Sequence, residues 1–326
     1  MRALVTSAPG GWPNTKLSDV DLQERPDCAL VKIHAVGLNP ADNFQIEGRY
    51  PGGPKPPFVV GRDACGVVVK GDAKGQWRAG DSVVAIQSTT TNLEFGTLCE
   101  QQWIAAENLA KTPSDWSDIE AAAAPLVFQT AWKALVDIGG LQPGQNVVIT
   151  GASGGVGLAA VQLARAYGAT VVALSRSADK RQRLLDAGAH HVFSPDADHL
   201  KDQIFDALRT KGVPLVVENV GGSSLATAVH LLGVHGRISV VGVLAGVEAN
   251  ISIPALMFKR ASIHGILVTD DPPAKAQAAW ERIVDLMNSA KRRPIIDSQF
   301  SFNEAPAAFE KLRGNVFGKV VVQIAR

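Results

Sequence analysis

The chain has 326 residues, 46% hydrophobic and 19% charged, a globular composition with room for two domains and well-buried cores. Its 32 basic and 31 acidic residues leave a formal net charge of +1, so no overall field draws it to nucleic acid or to a membrane surface. Its apolar runs are too short for a membrane span, and Met1-Arg2-Ala3-Leu4-Val5-Thr6 leads into a strand-like segment without the regions of a signal peptide.

Residues 1 to about 123 read as short strands broken by Gly and Pro. Ala29 to Ile33 alternates, Gly37 to Pro40 turns, and Tyr50 to Pro57 has the Pro and Gly content of a loop. Gly66 to Val69 and Asp81 to Ala85 look like further strands, a texture that predicts an irregular β-barrel or sandwich. From about 124 to 268 strands alternate with helices. Val147 to Ile149 is a strand, Leu158 to Tyr167 a helix stopped by Gly168, and Thr170 to Leu174 the next strand. A helix follows from about Asp179 to Ala187, ended by Gly188, and later strands are Leu215 to Val217, Arg237 to Val241 and Ser262 to Val268. This alternation predicts an α/β fold with a parallel, doubly wound sheet. A helix from Ala274 to Ala290 and a strand from Gly318 to Ile324 close the chain, and periodicity does not say which domain they join. Cys28, Cys65 and Cys99 are widely spaced and form no CxxC pair, which predicts free thiols and a reducing cytosol.

The strongest local signal is Val147-Val148-Ile149-Thr150-Gly151-Ala152-Ser153-Gly154-Gly155-Val156-Gly157. A buried strand, a glycine-rich turn and an immediate helix let a backbone approach a pyrophosphate and present free N–H groups to it. The spacing departs from GxGxxG, because Ala152 stands at the first glycine. At the end of the second strand an NAD enzyme usually carries Asp or Glu for the ribose 2′-hydroxyl. Here the strand ends in Leu174-Ser175-Arg176-Ser177, with Lys180 one turn on. Without an acid, and with two cations, the pattern predicts NADPH.

Gly151 to Gly168 resembles the cofactor helix of zeta-crystallin-type quinone oxidoreductases. Gly37-Leu38-Asn39-Pro40-Ala41-Asp42, Gly61-Arg62-Asp63-Ala64-Cys65-Gly66 and Phe317-Gly318-Lys319-Val320-Val321 resemble signatures of the medium-chain dehydrogenase/reductase superfamily, in its order. The resemblance implies a GroES-like catalytic domain over 1–123, completed by 269–326, with a Rossmann domain over 124–268 inserted between. It also implies a cleft between the domains and a homodimer or homotetramer. Zinc-dependent members carry Cys where this chain has Asn39 and His where it has Arg62, and the stretch Gln87 to Gln101 lacks the cysteine-rich lobe. No metal site is therefore expected. Without a Lewis acid, hydride addition to a quinone or to the C=C of an α,β-unsaturated carbonyl suits the chain better than alcohol oxidation.

The resemblance makes Tyr50 a cofactor- or substrate-contacting group that could donate to a carbonyl oxygen, and Asn39 a candidate partner of the nicotinamide ribose or of that carbonyl. Arg62 could stabilise an enolate or bind an acidic substrate; the competing expectation is an internal ion pair with Asp42 or Asp63. Gln129-Thr130-Ala131 is expected to open the helix between the domains, with Thr130 at the nicotinamide edge. Ser153, Gly154, Gly155, Val156 and Gly157 are expected at the pyrophosphate, and Asn219, Val220, Gly242 and Val243 at the carboxyl ends of later strands. Gly265, Ile266 and Leu267 line the nicotinamide pocket by resemblance. Pocket shape depends on Tyr50 to Pro57, Thr89 to Phe95 and the loop after Val243. Two other readings compete: an enoyl-CoA-type thioester reductase, and a crystallin-like protein that binds NADPH without turnover.

Overall fold

The structure, a computed structural model, describes residues 1–86 and 96–324. Thr89 to Phe95, expected to shape the pocket, lies outside the described residues. The chain divides into two compact units, Met1–Leu126 with Thr269–Val284 and Arg293–Arg326, and Val127–Val268 with Asp285–Arg292. The division keeps the expected boundary at 269, places the other at 126 rather than 123, and moves residues 285–292 into the second unit. The last part of the Pro273–Ser289 helix and the turn after it group with the second unit, where Arg292 donates to the Ala187 carbonyl.

The first unit holds two sheets. The smaller is antiparallel, with Arg2–Thr6 between Thr15–Asp19 and Phe58–Val59. The larger runs Ile296–Ser301, Lys319–Gln323, Cys28–Gly37, Ala64–Lys70, Ser82–Ala85, Leu109–Lys111, and Gln101–Ala105 also pairs with Cys28–Gly37. Within Cys28–Gly37, residues 28–35 alternate half-buried and buried as a two-residue period demands, and the last residues are buried on both faces. Leu4 and Phe58 from the small sheet meet Ile33, Val83 and Val322 from the large one in a single core, which Phe309 of the Ala305–Arg313 helix also enters. The tail strand is thus an interior strand of this sheet, antiparallel to Cys28–Gly37.

The second unit is a six-stranded parallel sheet in the order His191–Phe193, Thr170–Leu174, Asn146–Ile149, Val213–Glu218, Leu232–Val240, Ser262–Gly265. Val147, Val148, Ile149, Val171 and Val172 are fully buried, as continuous apolar strands covered on both faces must be. The order reverses between Asn146–Ile149 and Val213–Glu218, which is where ligands bind in such sheets. Several boundaries differ from expectation, three of them near the site. The glycine-loop helix starts earlier, at Gly155. The sixth strand stops at Gly265 rather than Val268. The helix bearing Thr130 opens at Pro125, because proline fits a helix's first turn, and passes into a π-helical turn over Lys133–Asp137.

Candidate functional site

In the first unit the two signature segments meet. Asn39 precedes the Pro40–Ile46 helix, and Asp42 at the third helical position reaches back to accept the Asn39 backbone N–H at 2.8 Å. The Asn39 side chain turns inward. Its Nδ2 donates to Gly37 O (3.2 Å) and Asp63 Oδ2 (3.0 Å), and its Oδ1 accepts from Lys319 Nζ at 2.8 Å. Lys319 also reaches Asp63 Oδ2 at 3.0 Å, while Asp63 Oδ1 accepts the Leu126 N–H at 2.8 Å. Asn39 is buried with both amide atoms engaged, so in this arrangement it anchors the turn rather than offering itself to a ribose or a substrate carbonyl.

Arg62 lies beside this network. Its Nε is 3.8 Å from Asp42 Oδ1, so the expected ion pair has formed with Asp42 and not with Asp63. Its Nη1 donates to the Tyr50 hydroxyl at 3.4 Å and its guanidinium carbon sits 4.4 Å from the Tyr50 ring centre. Burial pushes the Asp42 carboxyl up to about 6 despite the nearby guanidinium. Asp42, Asp63, Arg62 and Lys319 are all at most 4% exposed, two anions matched by two cations.

In the second unit the strand Asn146–Ile149 ends at Thr150, and Gly151 turns the chain at φ +55°, one residue before the alanine that breaks the fingerprint. Gly157 packs the helix on that turn: a Cβ there would meet Gly151 O at 2.3 Å. Gly154 precedes the Gly155–Ala166 helix with no side chain capping it. Ser153, Gly154, Gly155 and Val156 are partly exposed around that helix end, an arrangement that can bind a phosphate. Ser175 is buried at the end of the second strand, Arg176 is exposed, and Lys180 Nζ lies 3.5 Å from Ser153 Oγ.

Across the sheet's switch point a buried carboxylate that the sequence reading missed organises the next loop. Glu218 accepts from Thr150 Oγ1 (2.9 Å), Val220 N (3.1 Å) and Gly221 N (2.7 Å), and Thr150 Oγ1 in turn accepts Asn219 N at 2.9 Å. Asn219 Nδ2 donates to Thr150 O at 2.8 Å, and its Oδ1 is buried without a partner. Gly242 stacks its backbone on Asn219, where a Cβ would meet the Asn219 carbonyl at 2.2 Å. Val243 is half-exposed, an added Cβ at Gly265 would meet only open space, and Leu267 is tied through its carbonyl to Lys133 Nζ at 2.8 Å. Ile266 continues from the edge strand with its N–H on Val240 O, and Thr130 is buried on its helix. Glu218 had a local signal, an acid closing an apolar strand just before Asn219; Lys319 and Lys133 act across distances that spacing does not reveal.

A two-sheet β unit completed by the C-terminal strand, with an inserted six-stranded parallel sheet bearing a glycine-rich phosphate loop, defines an oxidoreductase that works with a nicotinamide dinucleotide. Residues 25–114 match the alcohol dehydrogenase GroES-like domain, and residues 155–289 match the zinc-binding dehydrogenase family model. A quinone oxidoreductase of Lama guanicoe is 31% identical over 99% of this chain and 97% of its own, and that of Homo sapiens is 30% identical over 96% and 94%. A solved NAD-dependent alcohol dehydrogenase superposes with a TM-score of 0.87 over the whole of both chains, at 26% identity. The chain belongs to the quinone oxidoreductase-like family of the medium-chain dehydrogenase/reductase superfamily.

The zinc in the name of one matching model does not fit the residues here. An amide and a guanidinium stand at the two signature positions, and the carboxylate of Asp63 already carries an ammonium and two N–H donors. Burial pushes the Cys65 and Cys99 thiols up to about 12. Among the described residues no three His, Cys, Asp or Glu side chains gather as a metal set.

Proposed function

We propose that the protein is a metal-independent, NADPH-dependent reductase of quinones or of the C=C of α,β-unsaturated carbonyls. The observation that supports this reading is the closure of Asn39 and Asp63 on Lys319, which engages the polar side chains of the two signature segments with the protein's own cation. A bound NADPH supplies the hydride, and the oxidised substrate takes that hydride and one proton to give the hydroquinone or saturated carbonyl. Tyr50 donates to the substrate oxygen as negative charge grows there. Ser153 to Gly157 hold the pyrophosphate, while Arg176 and Lys180, with Ser175 in place of an acid, favour the 2′-phosphate. Asn219 Oδ1, buried and unpartnered, accepts from the cofactor; Val220, Gly242, Val243, Thr130 and Gly265 to Leu267 shape the nicotinamide end.

Enzyme dialysed against a chelator, given NADPH and in turn phenanthrenequinone, benzoquinone, an alkenal and crotonyl-CoA, tests the reading. Turnover of a quinone or alkenal is expected. Turnover of crotonyl-CoA alone would make it a thioester reductase, and tight NADPH binding with no turnover a binding protein. A requirement for added zinc would sink the metal-free reading. We further propose a homodimer or homotetramer in the cytosol. The exposed apolar side chains of Ile253, Met257 and Phe258 on one short helix support the assembly, and three free thiols suit that compartment. Among the described residues no helix is long and apolar enough to cross a membrane.

A further inference from the structure

We propose that Arg62 is a positioning residue for Tyr50, holding the phenol so that it presents its hydrogen, rather than its lone pairs, to an acceptor oxygen on the substrate. The inference rests on the reading of Tyr50 given above. A phenol can donate once or accept, and left to itself it serves either kind of partner. Here the Arg62 Nη1 donates onto the Tyr50 oxygen at 3.4 Å, and the guanidinium lies over the ring at 4.4 Å, fixing its plane.

The arrangement is costly enough to need a reason. Arg62 is 4% exposed, and its Nε and Nη2 have no hydrogen-bond partner. Its nearest carboxylate oxygen, on Asp42, stands 3.8 Å away, longer than a charge-assisted hydrogen bond. A buried guanidinium that serves only an ion pair would be expected to face its carboxylate in fork geometry. This one instead points Nη1 at a half-buried phenol. With an acceptor lone pair occupied by a cationic donor, the O–H bond is polarised and aimed away from Arg62. Such a group stabilises negative charge as it grows on a carbonyl or quinone oxygen more than it does a neutral hydroxyl, and so favours reduction of the oxidised substrate.

Two measurements test this. The first reads the phenol without turnover. The chain has two tyrosines, so Tyr167→Phe leaves Tyr50 alone, and the Raman Fermi doublet of its ring reports whether its oxygen accepts a hydrogen bond. An acceptor signature is expected, and Arg62→Met should abolish it; a signature indifferent to Arg62 overturns the proposal. The second is a double-mutant cycle on phenanthrenequinone reduction by NADPH. Tyr50→Phe and Arg62→Met should each lower kcat about tenfold with KM for NADPH unchanged, and the double variant should be no slower than Tyr50→Phe. Arg62→Lys should recover part of the loss. If Arg62→Met does not fold, Arg62→Lys is compared in the wild-type and Y50F backgrounds instead. A loss from the Arg62 change that is as large in Y50F as in wild type overturns the proposal. Wild-type turnover by Y50F overturns the reading of Tyr50 as donor and this inference with it, whereas a Raman signature indifferent to Arg62 with slowed turnover by Y50F overturns this inference alone.

Discussion

The Lys319 ammonium lies 3.0 Å from the Asp63 carboxylate and 2.8 Å from the Asn39 amide oxygen, tying the last strand to side chains 256 and 280 positions earlier. All three are buried. Lys319→Met should therefore strand an anion in the core and destabilise the first unit by about 3–5 kcal/mol, read from urea unfolding. Adding Asp63→Asn should return part of that loss, since the uncompensated charge is removed with its partner. A Lys319→Met protein as stable as the wild type would contradict the pairing.

Asp42 makes a prediction of opposite sign to most carboxylates. Burial raises its folded pKa to about 6 from 3.8, so the native state binds a proton more tightly than the unfolded one. That contribution is present below about pH 4 and is lost as pH rises through about 6. Stability of the wild type measured relative to Asp42→Asn should fall from pH 4 to pH 7, by about 3 kcal/mol at most on the usual conversion. A difference that is flat or rises over this window would rule the raised pKa out.

Arg176 is exposed at the end of the second parallel strand, next to buried Ser175. Arg176→Ala should raise KM for NADPH about tenfold, the worth of one lost charge-assisted contact, and leave KM for NADH nearly unchanged. Equal effects on both cofactors, or equal use of both by the wild type, would place the 2′-phosphate elsewhere or deny it.

Ile253, Met257 and Phe258 are 70%, 60% and 76% exposed on the Ile253–Lys259 helix. If they face a second copy, Phe258→Glu should shift the mass in light scattering to the monomer while NADPH binding persists. An assembly unaffected by that charge would direct attention to another face.

Features set by neighbouring residues were legible in the sequence. Val147 to Gly157 announced a strand, a turn and a phosphate-binding helix because each depends on local backbone chemistry. The absence of an acid at Ser175-Arg176 was readable for the same reason. What spacing could not supply was pairing. Arg62 was weighed between Asp42 and Asp63, and only the fold shows Asp63 already occupied by Lys319, leaving Asp42 to the guanidinium. Asn39 was weighed as a partner of the nicotinamide ribose or the substrate carbonyl, yet its side chain is drawn in by that same lysine. Glu218 escaped notice since a carboxylate wrapped by backbone N–H groups has no sequence mark beyond its place at a strand's end.

The placing of Lys319–Gln323 between Ile296–Ser301 and Cys28–Gly37 also dictates an order of events at the ribosome. All six strands of the parallel sheet have been made once Gly265 is in the chain, so that sheet can form early. Cys28–Gly37, synthesised long before its partner, must wait with an open edge until Lys319–Gln323 emerges, and Asp63 waits with it for its counter-ion. Until then the half-made β unit carries an unpaired strand edge, the kind of surface that makes an incomplete chain prone to aggregate.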